Sequence, residues 1–135
     1  MSTHKYLQDN RNDQILIYVN GEILPKDKAK ISVFDSGFLL GDGVWEGIRF
    51  HNKHLVFIQE HLDRLFHGAS SLDIDIGMSK DRIKSLLISV LDANRMITDV
   101  HIRLIVSRGL KKTPYQHPNA NIGESTIVII PEYKK

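Results

Sequence analysis

The segment from Phe34 to Phe50 constrains the fold of this chain more than any other part of the sequence. It carries four glycines within residues 37–47 and then passes into an alternating stretch from Val44 to His51. Glycine occurs where the backbone must reach positive φ or come close to another group, and we expect that group to be a ligand. The alternation that follows predicts a β-strand.

The two faces of this predicted strand differ in chemistry. The apolar face holds Val44, Ile48 and Phe50. The opposite face holds Trp45, Gly47 and Arg49, which place an aromatic surface, a gap and a cation side by side. Such a face suits one wall of a ligand cleft. The alternative is an edge strand whose polar face lies in water, and alternation alone does not distinguish the two.

Turn-forming dipeptides predict that the strands pair in the antiparallel sense. Asn20–Gly21 lies between Ile15–Val19 and Glu22–Leu24, and both residue types favour the positive φ that a tight hairpin turn requires. A second turn near Asn52–Lys53 predicts that Leu55–Ile58 pairs with the preceding strand. Further strands are predicted at residues 31–34, 100–107 and 126–130, with a long irregular connection at 109–123.

Two segments have the apolar spacing of a helix. Apolar residues recur at intervals of three and four in residues 60–71 and again, after a predicted N-cap at Ser79, through about Asn94. Together with the strands they predict an α+β fold, a two-layer sandwich in which two helices flank a largely antiparallel sheet.

Composition excludes several classes of function. The chain is 41% hydrophobic and 25% charged with a net charge of +2, which fits an ordinary globular domain and not a nucleic-acid-binding protein. It has no cysteine, and its histidines lack the spacing of metal ligands. No apolar run approaches the roughly 18 residues of a membrane span, and the polar N-terminus does not have the pattern of a signal peptide. We expect a soluble, cytoplasmic protein without nucleic-acid, membrane or metal partners.

Two motifs together resemble a known enzyme family. These are GDGVWEGIR at residues 41–49 and EHLDRL at residues 60–65. In this order and separation they are similar to the start of the fold-type IV (class IV) pyridoxal-phosphate-dependent aminotransferases, and the similarity extends from about Ile15 to Ile130. The resemblance implies a polar lead-in at 1–13, a small N-terminal domain at 14–131 and the start of an inter-domain linker at 132–135.

The resemblance implies roles for particular residues. Arg64 matches an arginine that anchors the phosphate of pyridoxal 5′-phosphate, and its forked guanidinium suits a phosphate. The alternative for Arg64 is a surface ion pair with Glu60 on the same helix. Trp45 stands where the family commonly has phenylalanine or tyrosine, and Leu40 where branched-chain enzymes often have tyrosine. These two changes imply a more apolar substrate pocket, although either residue could belong to the core.

Other positions bear on the substrate. Arg103 shares a predicted strand face with His101 and matches an arginine that receives the second carboxylate of 2-oxoglutarate in branched-chain enzymes. Arg49 favours the same subgroup. A solvated arginine on an edge strand is the alternative for Arg103. D-amino acid enzymes use an arginine and a histidine from the following loop, where Thr113 and Tyr115 stand here, a poor match.

The implied function is transfer of an amino group between a branched-chain amino acid and 2-oxoglutarate, with this chain supplying part of the substrate pocket. D-amino acid aminotransferase, aminodeoxychorismate lyase and a non-catalytic association domain are the alternatives. The family takes its Schiff-base lysine from a second domain that this sequence lacks, so we expect the 135-residue chain alone to be inactive. The connection 109–123 implies a homodimer, because in the family it reaches a neighbouring subunit.

Overall fold

The computed structural model describes residues 6–135, so residues 1–5 of the predicted lead-in lie outside the described part. The helices and strands are β1 (Leu16–Val19), β2 (Glu22–Pro25), α1 (Ser36–Leu40), β3 (Gly43–His51), β4 (His54–Leu55), α2 (Ile58–Ser71), α3 (Lys80–Ala93), β5 (Val100–Ser107), β6 (Leu110–Lys111), β7 (Asn121–Ile122) and β8 (Thr126–Tyr133). One six-stranded sheet has the order β2-β1-β8-β5-β3-β4, and every pair in it is antiparallel. The predicted α+β architecture is confirmed.

The helices α2 and α3 cover one face of the sheet, as the apolar spacing predicts. Their buried side chains are Leu62, Leu65, Ala69, Ile83, Leu86, Leu87, Val90 and Leu91. On the sheet, Ile48, Ile102, Leu104 and Ile129 are fully buried beneath them. The Ser79 hydroxyl accepts a hydrogen bond from the Arg82 amide at 3.1 Å, which confirms the predicted N-cap. Among residues 6–135, no long helix covers the other face of the sheet.

Both predicted turns are present, but two strand predictions are wrong. Asn20 and Gly21 have φ of 47° and 96°, and the turn at Asn52–Lys53 has φ of 47° and 64°. The strand after the second turn contains only His54–Leu55, because Phe57 turns the chain at φ 53° directly into α2. Residues 31–34 form no strand; they end in a turn, and Asp35 makes an isolated bridge to Leu110.

The glycine-rich segment brings backbone close to backbone at Gly43, and the expected ligand contact there stays a prediction. A Cβ added there would lie 2.7 Å from the Val106 carbonyl oxygen on β5. Asp42 accepts a hydrogen bond from Arg108 Nε at 2.6 Å, and Arg108 also donates to the Leu72 carbonyl at 2.6 Å, just beyond α2. The segment therefore joins β3, the end of β5 and the end of α2.

The connection 109–123 is less irregular than predicted. It contains the small hairpin β6–β7, and Lys111 within it is only 2% exposed. The ammonium of Lys111 donates to Asn121 Oδ1 at 2.7 Å, while Asn121 Nδ2 donates to the Leu110 carbonyl at 3.2 Å. Two polar side chains separated by ten residues close the segment, which apolar periodicity does not reveal.

Residues outside the predicted boundaries at 13/14 and 131/132 contact one another, and the boundaries themselves stay predictions. The strand β8 continues to Tyr133, whose carbonyl accepts from Asn12 Nδ2 at 3.0 Å and whose amide donates to Asn12 Oδ1 at 2.7 Å. Arg11 lies 3.8 Å from the centre of the Tyr133 ring. These contacts tie a short 3₁₀ helix, Asn10–Gln14, to the last strand.

Gly109 offers a test of how tightly the segment after β5 is packed. It has φ of 102°, and an added Cβ would lie 2.2 Å from the Glu124 carbonyl oxygen, whereas Gly21 has φ of 96° and open space. Gly21→Ala should lower the free energy of unfolding by about 1–2 kcal/mol through backbone strain alone. Gly109→Ala should cost at least about 3 kcal/mol because a steric clash is added. Urea denaturation measures both, and equal losses would show that the loop moves aside.

Candidate active site

A buried carboxylate holds an exposed arginine at the junction of β3 and α2. Glu46 lies on the helix-covered face of β3 and is 4% exposed. Its two oxygens accept hydrogen bonds from Arg64 Nε at 2.8 and 3.0 Å, and His61 Nδ1 lies 3.0 Å from Oε1. The Arg64 side chain is 73% exposed, and within residues 6–135 neither of its terminal nitrogens has a hydrogen-bond partner. The fork of the guanidinium is therefore available to an anion.

The charges of this cluster depend on one another. Burial by itself would raise the pKa of Glu46, but hydrogen bonds from Arg64 and His61 outweigh burial, and the pKa lies below its ordinary value. The hydrogen bonds to Glu46 in turn raise the pKa of Arg64. The predicted alternative, a pair between Arg64 and Glu60, is wrong, because Arg64 uses Nε on Glu46 instead.

Glu46 is not among the site residues predicted from the sequence, although the sequence contains a signal for it. The alternation of β3 places a carboxylate between Val44 and Ile48 on the face that packs against the helices. An unpaired charge buried on that face would cost free energy, so the position of Glu46 predicts a cationic partner. The alternation could not identify Arg64 or His61 as that partner.

The open face of the sheet brings together the predicted aromatic ring and gap, but the cation beside the ring is Arg103 of β5 rather than Arg49. Gly47 pairs with Arg103 across β3 and β5, and the Arg103 guanidinium carbon lies 4.1 Å from the centre of the Trp45 ring. A Cβ at Gly47 would lie 2.9 Å from His101 Nε2, so the glycine makes room for that imidazole. Burial, and then the charges of Lys134, Arg103 and Arg49, lower the pKa of His101. The imidazole is therefore neutral at pH 7.

An apolar cleft of about 490 Å³ begins beside Trp45 on this open face. Its apolar lining includes Ile17, Phe38, Ile105, Val128 and Ile130. Its polar end is Asp35, which is 2% exposed. The Asp35 carboxylate accepts from Ser107 Oγ at 2.7 Å and from Thr126 Oγ1 at 2.6 Å. Neutral hydroxyls thus satisfy this carboxylate, and the cleft wall between it and Trp45 is apolar.

Four predicted residues lie away from this cleft. Arg49 contacts Asp99 at 3.2 Å and donates to the Lys134 carbonyl, near the opposite end of β3. Leu40 is 40% exposed at the end of α1, and Phe38 and Gly41 line the cleft in its place. Thr113 and Tyr115 are exposed in the segment between β6 and β7. Contact between substrate and any of these four residues stays a prediction.

Two structural features bear on other classes of function. No helix within residues 6–135 is long and apolar enough to cross a membrane. In the same part of the chain, no three histidine, aspartate or glutamate side chains are grouped so that they could hold a metal ion.

The known proteins that this chain resembles are aminotransferases. A sequence profile described as amino-transferase class IV matches residues 43–135. Branched-chain-amino-acid aminotransferase-like protein 1 of Arabidopsis thaliana is 39% identical over 123 residues, which cover 91% of this chain and 22% of that protein. D-alanine aminotransferase of Staphylococcus aureus is 28% identical over 119 residues, which cover 88% of this chain and 42% of that protein. The chain thus spans less than half the length of either relative.

A solved structure has the same fold. The branched-chain amino acid aminotransferase from Escherichia coli matches with a TM-score of 0.77 at 22% identity, over 88% of this chain and 41% of that chain. At this identity the match concerns the fold alone.

The link between Glu46 and Arg64 predicts a pH-dependent stability. The folded pKa of Glu46 is lowered, so ionised Glu46 stabilises the fold above its ordinary value of 4.5, and this contribution is lost as the pH falls through the lowered pKa. Glu46→Gln should therefore lower the free energy of unfolding by about 1–2 kcal/mol at pH 7, a value reduced by the exposure of Arg64. Below pH 4.5 the difference from the wild type should shrink.

Glu60→Gln is the matched control, because Glu60 lies in the first turn of α2 and has no ion-pair partner within residues 6–135. It should change the stability by only about 0.5 kcal/mol through the helix dipole. Denaturation curves at several pH values measure both variants. Equal losses for the two would rule out the role given to Glu46.

Proposed function

Because this chain belongs to the class IV aminotransferases, we propose that it is part of an enzyme that moves an amino group between a branched-chain amino acid and 2-oxoglutarate with pyridoxal 5′-phosphate. The family match over residues 43–135 confirms the resemblance drawn from the two motifs. The single observation that carries the proposal is Arg64, whose side chain is 73% exposed while its Nε is held by a buried carboxylate.

Arg64 fits the phosphate of the cofactor. A guanidinium can donate two parallel hydrogen bonds through its terminal nitrogens, and Glu46 occupies only Nε. Glu46 also compensates the positive charge locally and restricts the rotation of the long side chain, so less conformational freedom is lost when an anion binds. When bound, the cofactor supplies an electron-withdrawing ring that stabilises negative charge on the substrate carbon.

The open face of the sheet fits the two substrates. The apolar cleft accepts a branched aliphatic side chain, since burial of such a side chain is favourable. Arg103 is exposed beside Trp45, which lines the cleft, and within residues 6–135 its guanidinium has no carboxylate partner. It therefore can receive the second carboxylate of 2-oxoglutarate, which a branched-chain substrate lacks.

The main alternative is a D-amino acid aminotransferase, since several relatives carry the name D-alanine aminotransferase. Against it, Thr113 and Tyr115 are neither arginine nor histidine, and both are exposed. Arg103 favours the branched-chain subgroup, because it matches the arginine that the family resemblance implies for those enzymes. Lyase chemistry on the same scaffold and a purely associative domain are the remaining alternatives, and no contact among the described residues favours either one.

Association into a homodimer also stays a prediction, as do a cytoplasmic location and the inactivity of residues 1–135 alone. The support for association is the apolar surface beside the β6–β7 hairpin, where Phe34 is 43%, Leu110 38% and Ile122 50% exposed. Light scattering of the complete protein tests it, and a fully active monomer would contradict it.

The proposal for the cofactor is tested with Arg64→Ala in the complete protein. The variant should bind pyridoxal 5′-phosphate about 10- to 100-fold more weakly, because charge-assisted hydrogen bonds to the phosphate are lost. Titration of the apoprotein, followed by absorbance, gives the dissociation constant. The control is Arg82→Ala, which removes an exposed arginine from α3 and should leave the affinity unchanged. An unchanged affinity in Arg64→Ala would remove Arg64 from the site.

The proposal for the substrate is tested with Arg103→Leu. This change should raise the KM for 2-oxoglutarate about tenfold and alter the KM for 4-methyl-2-oxopentanoate far less, because only the first substrate has a second carboxylate. Steady-state kinetics with each oxo acid measure the difference. Equal losses for both would indicate a structural arginine, and activity with D-alanine but none with leucine would exclude the branched-chain assignment.

A further inference from the structure

Arg103 has an unusual environment for a cation beside an apolar cleft. Its backbone is fixed by pairing with Gly47 on one side and Ile130 on the other. Its guanidinium is exposed, and within residues 6–135 it has no ion pair or side-chain hydrogen bond. The contact that the structure gives to this group is the ring of Trp45, 4.1 Å from its central carbon.

Gly47 lies beside that contact on the open face. Trp45 and Arg103 are diagonal neighbours on the open face, and Gly47, directly opposite Arg103, places no side chain between them. A Cβ at Gly47 would be 3.8 Å from Trp45 Cζ3 and 2.9 Å from His101 Nε2, so the indole and the imidazole both lie over this gap.

Stacking on an aromatic face restrains an arginine without occupying its donors. All five N–H groups of a guanidinium lie in its plane, so a ring above that plane leaves the edges free for a carboxylate. Tryptophan is the strongest aromatic partner for a cation. An arginine held in one direction also loses less rotational freedom when its ligand binds.

We propose that Trp45 is a positioning residue that stacks on Arg103, sets the direction of its guanidinium and thereby favours dicarboxylate over monocarboxylate substrates. The inference rests on the proposed function in one respect, namely that Arg103 receives a substrate carboxylate. It goes beyond that function by assigning the direction of Arg103 to an aromatic residue at a position where the family resemblance implies phenylalanine or tyrosine.

The test uses the complete protein with its cofactor and compares Trp45→Leu with Trp45→Phe. Trp45→Leu should raise the KM for 2-oxoglutarate about two- to fivefold, the value of an exposed cation–π contact. The KM for 4-methyl-2-oxopentanoate should change less than that for 2-oxoglutarate. Trp45→Phe keeps a ring under the guanidinium and should restore most of the affinity, which a loss of general packing would not predict.

Inhibition constants for two unreactive acids provide a readout independent of turnover. Glutarate carries two carboxylates and 4-methylpentanoate carries one, so Trp45→Leu should weaken glutarate more than it weakens 4-methylpentanoate. In the Arg103→Leu background the same change should have no further effect on glutarate, because the group that Trp45 positions is gone.

The outcomes separate this inference from the function on which it rests. If Arg103→Leu leaves glutarate inhibition unchanged, the substrate role proposed for Arg103 fails. If Arg103→Leu weakens glutarate while Trp45→Leu does not, or if Trp45→Leu weakens both acids equally, the role of Trp45 is overturned and that of Arg103 stands. An equal loss in Trp45→Phe and Trp45→Leu would also overturn it.

Discussion

The antiparallel pairing of β3 with β5 is the constraint on which both parts of the candidate site depend. It places Gly47 opposite Arg103 on the open face and Glu46 opposite Leu104 on the helix-covered face. A slip of β5 by one residue would turn Arg103 to the helix-covered face, and a slip of β3 by one residue would expose Glu46. The register is therefore strongly specified, because the slipped arrangement would bury an unpaired cation beneath α2 and α3.

The two faces of the sheet each hold an arginine, but by different interactions. On the covered face, a buried carboxylate fixes one nitrogen of Arg64 and leaves the other two to an anion. On the open face, a ring takes the place of that carboxylate and restrains Arg103 without compensating its charge. The same side-chain type is thus held in two ways, by hydrogen bonding in one case and by stacking in the other. Both arrangements leave guanidinium edges free.

Much of the fold could be predicted from local pattern. The alternation in β3 and β5, the Asn20–Gly21 turn and the Ser79 cap each involve residues close in sequence, where backbone preference and side-chain direction decide the outcome. Two strand predictions were wrong although the composition of both segments suits a strand. Residues 31–34 have strand-like composition but no partner strand, and Phe57 starts α2 where a longer β4 was predicted.

The sequence by itself determined the family, the α+β class and which residues share a face. The family follows from the two motifs, and the shared faces follow because side-chain direction in strands and helices is set by chain geometry. Only the tertiary structure decided the partners: Arg64 with Glu46 rather than Glu60, Asp42 with Arg108, and Arg103 with Trp45. The residues of each pair are separated by many positions or lie on different elements. Their contact is therefore set by how the layers pack and by the burial of charge, which no local pattern specifies.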